Sequence, residues 1–333
     1  MGYQNSFLFR ESLNDTGKTP TVDSIYWSPD IICHDMVADP DTFFAESYDR
    51  DVSQAVHTGT ALNFLYTRVK NLSKDTTPTV GYINVYRTHS SLFMQPSLWR
   101  NNPIPTASGK RSLVVQSSVP EEIVTGGDFF RLSGLESNTF CMMGIVSDSP
   151  VPTLPESDFS TYDDFAYWFR RNPAVCARNL TVYSGTTRQF EGMHSLSNPE
   201  KEEKEVFIRV RATDNIPAGT VYGIYCSVLG IQEERTVKEG EYNEFVVLTH
   251  LPPGIDTWIC SYASLPSGTS EWPAGEKIDV GFFVTMGPQH KSYCFGASAA
   301  GLGLRGLKIR NDTPFQKLVQ LGCCSTIFIN EKG

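Results

Sequence analysis

This sequence is short of several things. No window approaches the ~18 consecutive apolar residues that a membrane helix requires, so no membrane span is expected. The opening MGYQNSFLFRESLNDTGK has no basic start followed by an apolar run, so no secretory signal is read from it. The expectation is synthesis in the cytoplasm, with a non-classical or injection route to any extracellular location. No two cysteines have C-x-x-C spacing, which argues against a structural zinc site. Basic charge is outweighed: 28 Lys and Arg face 37 Asp and Glu, for a net charge of −9. Phosphate backbones and anionic membranes are held by clustered Lys and Arg, so neither is expected as a partner.

What is present reads as β structure. Aromatics make up 12% of the chain, beside 20 Pro and 26 Gly, a mixture that suits short strands and tight turns rather than long helices. With 333 residues, the chain is long for one sandwich and comfortable for two domains.

Residues 1–20 are polar and turn-rich, and read as an N-terminal arm. Strand signals begin near residue 21. Leu62 to Val69 and Thr79 to Arg87 alternate with period two across a turn at Asp75 to Pro78, and together predict a hairpin. Arg111 to Val115, Phe129 to Leu132, Thr139 to Val146 and Arg178 to Tyr183 are further strands. Tyr162 to Arg171 is the one helical candidate, with Asp163 and Asp164 at its start and Pro173 to end it. A stretch poor in large apolar residues, 185–204, reads as a linker. Beyond it, Val206 to Val210, Thr220 to Val228, Phe245 to Leu251, Ile255 to Ser261, Ile278 to Val284, Lys291 to Phe295, Leu302 to Ile309 and Leu318 to Ile329 predict a second set of strands. The expected architecture is all-β: an arm (1–20), an immunoglobulin-like sandwich (21–184), a linker (185–204) and a second sandwich, immunoglobulin-like or jelly-roll-like (205–333).

Signals for chemistry are sparse. Gly301-Leu302-Gly303-Leu304-Arg305-Gly306 fits G-x-G-x-x-G but lacks the strand-to-helix setting that binds a dinucleotide, so it reads as a glycine-rich loop. Asp35, Asp39 and Asp41 form an oxygen-rich cluster, a weak candidate for a cation site against a solvated acidic loop. The histidines (His34, His57, His89, His194, His250 and His290) lie in no catalytic motif, which leaves a triad assembled in space as the enzymatic alternative. Of the five tryptophans, Trp99 and Trp272 are candidates for stacking on sugar rings if exposed, and for core filling if not. The eight cysteines read more readily as buried thiols than as a disulfide framework. No cofactor is expected.

Four segments carry a resemblance. They are Tyr26-Trp27-Ser28-Pro29-Asp30-Ile31, Asn63 to Asn71 (NFLYTRVKN), Phe140-Cys141-Met142-Met143-Gly144-Ile145, and Arg171 to Leu180 (RNPAVCARNL). In this order they resemble an immunoglobulin-like β module of bacterial secreted, surface and injection-system-associated proteins. The match spans about residues 24–183. It departs at Gly144, where the module usually has Arg, and at Pro173, which interrupts an Asn pair. The motifs are structural and transfer no catalytic residue. The resemblance implies a non-enzymatic structural or interaction protein, a component or accessory of a secreted or contractile-injection-type assembly. Its partners would be proteins, through self-association or a larger complex, with the arm adding a strand to a neighbour. A carbohydrate-binding protein and a toxin cargo with an unrecognised hydrolase site are the alternatives.

Overall fold

The structure, a computed structural model, describes residues 6–18, 25–54, 62–74, 76–133, 139–184, 187–304 and 316–329. The chain is nearly all-β and its sheets are built almost wholly from antiparallel pairs. It divides into two compact units, Met1–Thr88 with Gln95–Asp158 and Trp168–Asn179, and His89–Met94 with Phe159–Tyr167 and Leu180–Gly333. Among the described residues, no helix is long and apolar enough to cross a membrane.

In the first unit, Asn63–Thr67 pairs with both Ile31–His34 and Phe130–Leu132. A second sheet runs Leu113–Ser117, Thr79–His89, Thr139–Ser147 and then the first half of Val175–Ser184. Chain order against sheet order gives the immunoglobulin pattern, with three strands in one sheet and four in the other. The expected hairpin between residues 62–69 and 79–87 is not formed, because these strands belong to different sheets. Asn63–Thr67 has neighbours on both edges already, so the chain crosses to the other layer. The helix forms over Tyr162–Arg170.

The N-terminal segment is not a free arm. Phe7–Leu8 pairs with Lys70 and Asn71, the Phe9 amide donates to the Pro173 carbonyl at 2.7 Å, and Phe7 to Glu11 are all buried. The expectation of a polar lead-in overlooked the run Phe7-Leu8-Phe9, whose apolar side chains have their place in this unit's own core.

The second unit is a jelly roll. Val221–Cys226 and Ile231–Thr236 form the innermost hairpin. Lys204–Ala212 with Glu244–Leu251, and Gln189–Ser197 with Asp256–Ser264, form successively wider pairs around it. Such nested pairing folds a long ribbon into two sheets. The outermost partners, the second half of Val175–Ser184 and Lys277–Met286, are separated by the 13-residue strand Lys317–Ile329. That strand pairs antiparallel with Lys277–Met286 and parallel with Thr181 to Ser184.

Two further expectations change here. The linker 185–204 contains Gln189–Ser197, a strand whose alternate residues Phe190, Gly192, His194 and Leu196 are buried. Gly192 and His194 stand between Phe190 and Leu196 in that inward set and interrupt the apolar alternation, so the stretch reads as linker. Lys291–Phe295, expected as a strand, is a short 3-10 turn, held by the Asp163 carboxylate accepting from the Lys291 and Ser292 amides at 3.0 and 2.7 Å. The strand expected at Leu302 to Ile309 falls largely outside the described residues.

Candidate functional site: the outer face of the second unit

Among the described residues, two sealed clusters and one open face bring together side chains that could carry chemistry or recognition. In the first unit, Asp30 is fully buried between two guanidinium groups. Arg68 Nε donates to its Oδ1 at 2.8 Å and Arg10 Nη2 to the same oxygen at 2.6 Å, while Arg10 Nε reaches Oδ2 at 2.9 Å. Arg68 spends its remaining donors on the carbonyls of Pro29, Phe44, Ser47 and Arg50. Nearby, Arg178 donates to the Ser28 carbonyl at 2.6 Å and pairs with Asp51 at 2.9 Å. Residues distant in sequence therefore meet here: Ser28 and Asp30, Arg68, and Arg178. This network ties the edges of the sandwich together.

In the second unit, His194 is enclosed between two serines. Its Nδ1 lies 2.7 Å from Ser90 Oγ and its Nε2 2.8 Å from Ser261 Oγ, with Cys324 Sγ a further 3.0 Å from Ser90 Oγ. All four residues are buried, and burial pushes the imidazole down to about 4. A nucleophile–base arrangement needs access and a base that is effective near neutrality. This group has neither, and its third partner is a hydroxyl in place of a carboxylate.

The third place is open. In the sheet formed by Gln189–Ser197, Asp256–Ser264, Val221–Cys226 and Ile231–Thr236, Phe190, Leu196, Ile259, Tyr222 and Ile224 point inward. The opposite register carries Met193, Trp258, Cys260, Tyr262 and Tyr225 outward. Pairing places Met193 beside Cys260 and Cys260 beside Tyr225. Trp258 is 46% exposed, Met193 49% and Tyr225 46%. Tyr262 lies across Gly223, where a Cβ would stand 2.6 Å from its hydroxyl oxygen. That hydroxyl donates to Glu234 at 3.1 Å, and desolvation together with this bond pushes its pKa up to about 12, so it stays a donor at all ordinary pH.

The residues singled out from sequence lie elsewhere. Trp99 and Trp272 are 0% and 1% exposed. Trp99 packs on Tyr86 and Trp168, and Trp272 stacks on Phe328 at 4.0 Å, so neither offers a platform to a sugar. Asp39 caps the helix Pro40–Glu46, Asp41 accepts from Thr125, and the Asp35 amide donates to Gln54 at 3.0 Å. Among the described residues, no three His, Cys, Asp or Glu side chains converge as a cation site. Gly301 to Leu304 form a turn, and Arg305 and Gly306 lie outside the described residues. The eight cysteines are thiols, six of them buried.

No protein-family model matches the chain, and no curated protein matches it. Among solved structures, a red sea bream transglutaminase is similar over 87% of this chain, at 9% identity and a TM-score of 0.20. This chain spans 33% of that structure's length. The calcium binding domain CBD12 of CALX1.1 is similar over 79% of this chain and 93% of its own, at 10% identity and a TM-score of 0.18. The CupB6 tip adhesin from Pseudomonas aeruginosa is similar over 84% and 95%, at 7% identity and a TM-score of 0.16. Likeness this slight carries no argument about function.

Proposed function

We propose that this chain is a non-enzymatic structural and interaction protein that meets its partner through the outer face of the jelly-roll unit. We further propose, on the resemblance of the first unit, that it is a component or accessory of a bacterial secreted or injection-type assembly. One observation supports the reading above the rest: one sheet face bears Trp258, Tyr225 and Met193 exposed side by side. Large apolar side chains grouped in the open mark interaction sites.

Hydroxyl-radical footprinting tests it. Trp258, Met193 and Tyr225 should be protected in the native particle isolated from the source cells and labelled in the purified chain. Equal labelling in both, with protection on another face, would show this reading to be wrong. A glycan-binding reading shifts to the same face, because Trp258 is the exposed tryptophan where Trp99 and Trp272 are not. A blank glycan array with the intact chain would remove it.

A further inference from the structure

The outward register of this sheet has an unusual charge balance. Its positions are Gln189, Glu191, Met193, Ser195 and Ser197 on one strand and Asp256, Trp258, Cys260, Tyr262 and Ser264 on the next. Val221, Gly223 and Tyr225 follow, then Gln232, Glu234 and Thr236. Three are carboxylates and none is Lys or Arg. The neighbouring cations are turned to other work. Arg235 falls in the opposite register, 3.3 Å from Glu233, and Arg188 donates to the Pro266 carbonyl at 2.9 Å. Glu191 and Glu234 share one row with Tyr262 between them, Tyr225 presents its ring in the next row, and Trp258 presents its ring in the row beyond that, beside the row of Asp256.

Exposed aromatic planes interleaved with carboxylates suit one side chain above others. A guanidinium stacks flat on a ring and donates in its own plane to a carboxylate, whereas an ammonium is a point charge more tightly held by water. We infer that the occupant of this face is a protein surface rich in arginine. Its guanidinium groups would lie on Trp258 and Tyr225 and pair with Glu191, Glu234 and Asp256. This rests on the face being the working surface proposed above, and it adds the chemistry of the partner.

Octa-arginine and octa-lysine peptides, equal in charge, are titrated calorimetrically into the intact chain at two salt concentrations. The arginine peptide should bind several-fold more tightly. Its affinity should fall about tenfold or more in E191Q/E234Q, the order expected for losing two charge-assisted contacts. W258S should abolish the preference for arginine over lysine. The exposed pair Glu202 and Glu203, which precede a strand of the other sheet, supply the control E202Q/E203Q, which should bind as the unsubstituted chain does. An equal loss in the control would reduce the binding to net charge and overturn the inference. So would equal affinity for the two peptides. If footprinting protects the face while the peptides ignore these substitutions, the arginine assignment alone fails. If the face is unprotected in the particle, the underlying reading fails with it.

Discussion

Phe9 lies against Gly144 so closely that a Cβ on the glycine would stand 2.5 Å from the ring. The space beside Gly144 is taken by a side chain of the N-terminal segment, so the glycine and the docking of residues 7–11 depend on each other. Gly144→Ala should overpack the site and cost about 1–3 kcal/mol. Phe9→Ala should cost about 3–5 kcal/mol. The double variant should be less destabilised than the sum of the two, because removing the ring removes the clash. Urea unfolding of the four proteins measures this, and strict additivity would show that the two residues do not share the space.

The Asp30 network makes a second prediction. Asp30→Asn leaves Arg10 and Arg68 buried with no carboxylate between them. Breaking a buried pair from one side costs about 3–5 kcal/mol, far more than an exposed pair is worth. The urea midpoint of the first unit should fall accordingly. The exposed pair Arg235 and Glu233 provides the contrast, where Glu233→Gln should shift stability by less than about 0.5 kcal/mol.

His194 predicts a pH dependence. Burial holds its pKa near 4 in the folded chain against about 6.5 when unfolded. Above pH 6.5 both states are neutral and stability is complete. As pH falls from 6.5 towards 4 the unfolded state takes up the proton first, so stability drops, by about 3 kcal/mol at 1.36 kcal/mol per unit. Below pH 4 this contribution is flat. Stability curves measured across this range should lose that slope in His194→Gln. An unchanged slope would place the acid sensitivity elsewhere.

The tryptophans should separate cleanly. Trp272→Ala opens a cavity beside Phe328 and Phe190 and should cost about 3–5 kcal/mol. Trp258→Ser, on the open face, should leave stability within about 0.5 kcal/mol. Thermal melts of both variants decide it, and a large loss at Trp258 would mean that the ring supports the fold.

Period two was readable along most strands, and so was the helix at Tyr162–Arg170, where first-turn acids and a following proline act locally. Non-local pairing was not readable. Leu62 to Val69 and Thr79 to Arg87 look like a hairpin because only a few residues part them, yet each finds its partners far along the chain. Ser28 and Asp30, Arg68, and Arg178 lie far apart along the chain, and nothing in their local sequence showed that they would meet or that Arg10 would join them.

By itself, the amino-acid order determined that this is a β protein, built of many short strands divided by turns. Only the tertiary structure decided which face of each strand is covered. In Asp256–Ser264 the larger set is Trp258, Cys260 and Tyr262, and apolarity alone would bury it. The interior is already filled by Phe190, Trp272, Phe328, Tyr222 and Ile224, which leaves room only for Thr257, Ile259, Ser261 and Ala263. A strand cannot choose its inward face from its own residues. The volume left by its neighbours chooses it, and here that choice turned the aromatic set outward.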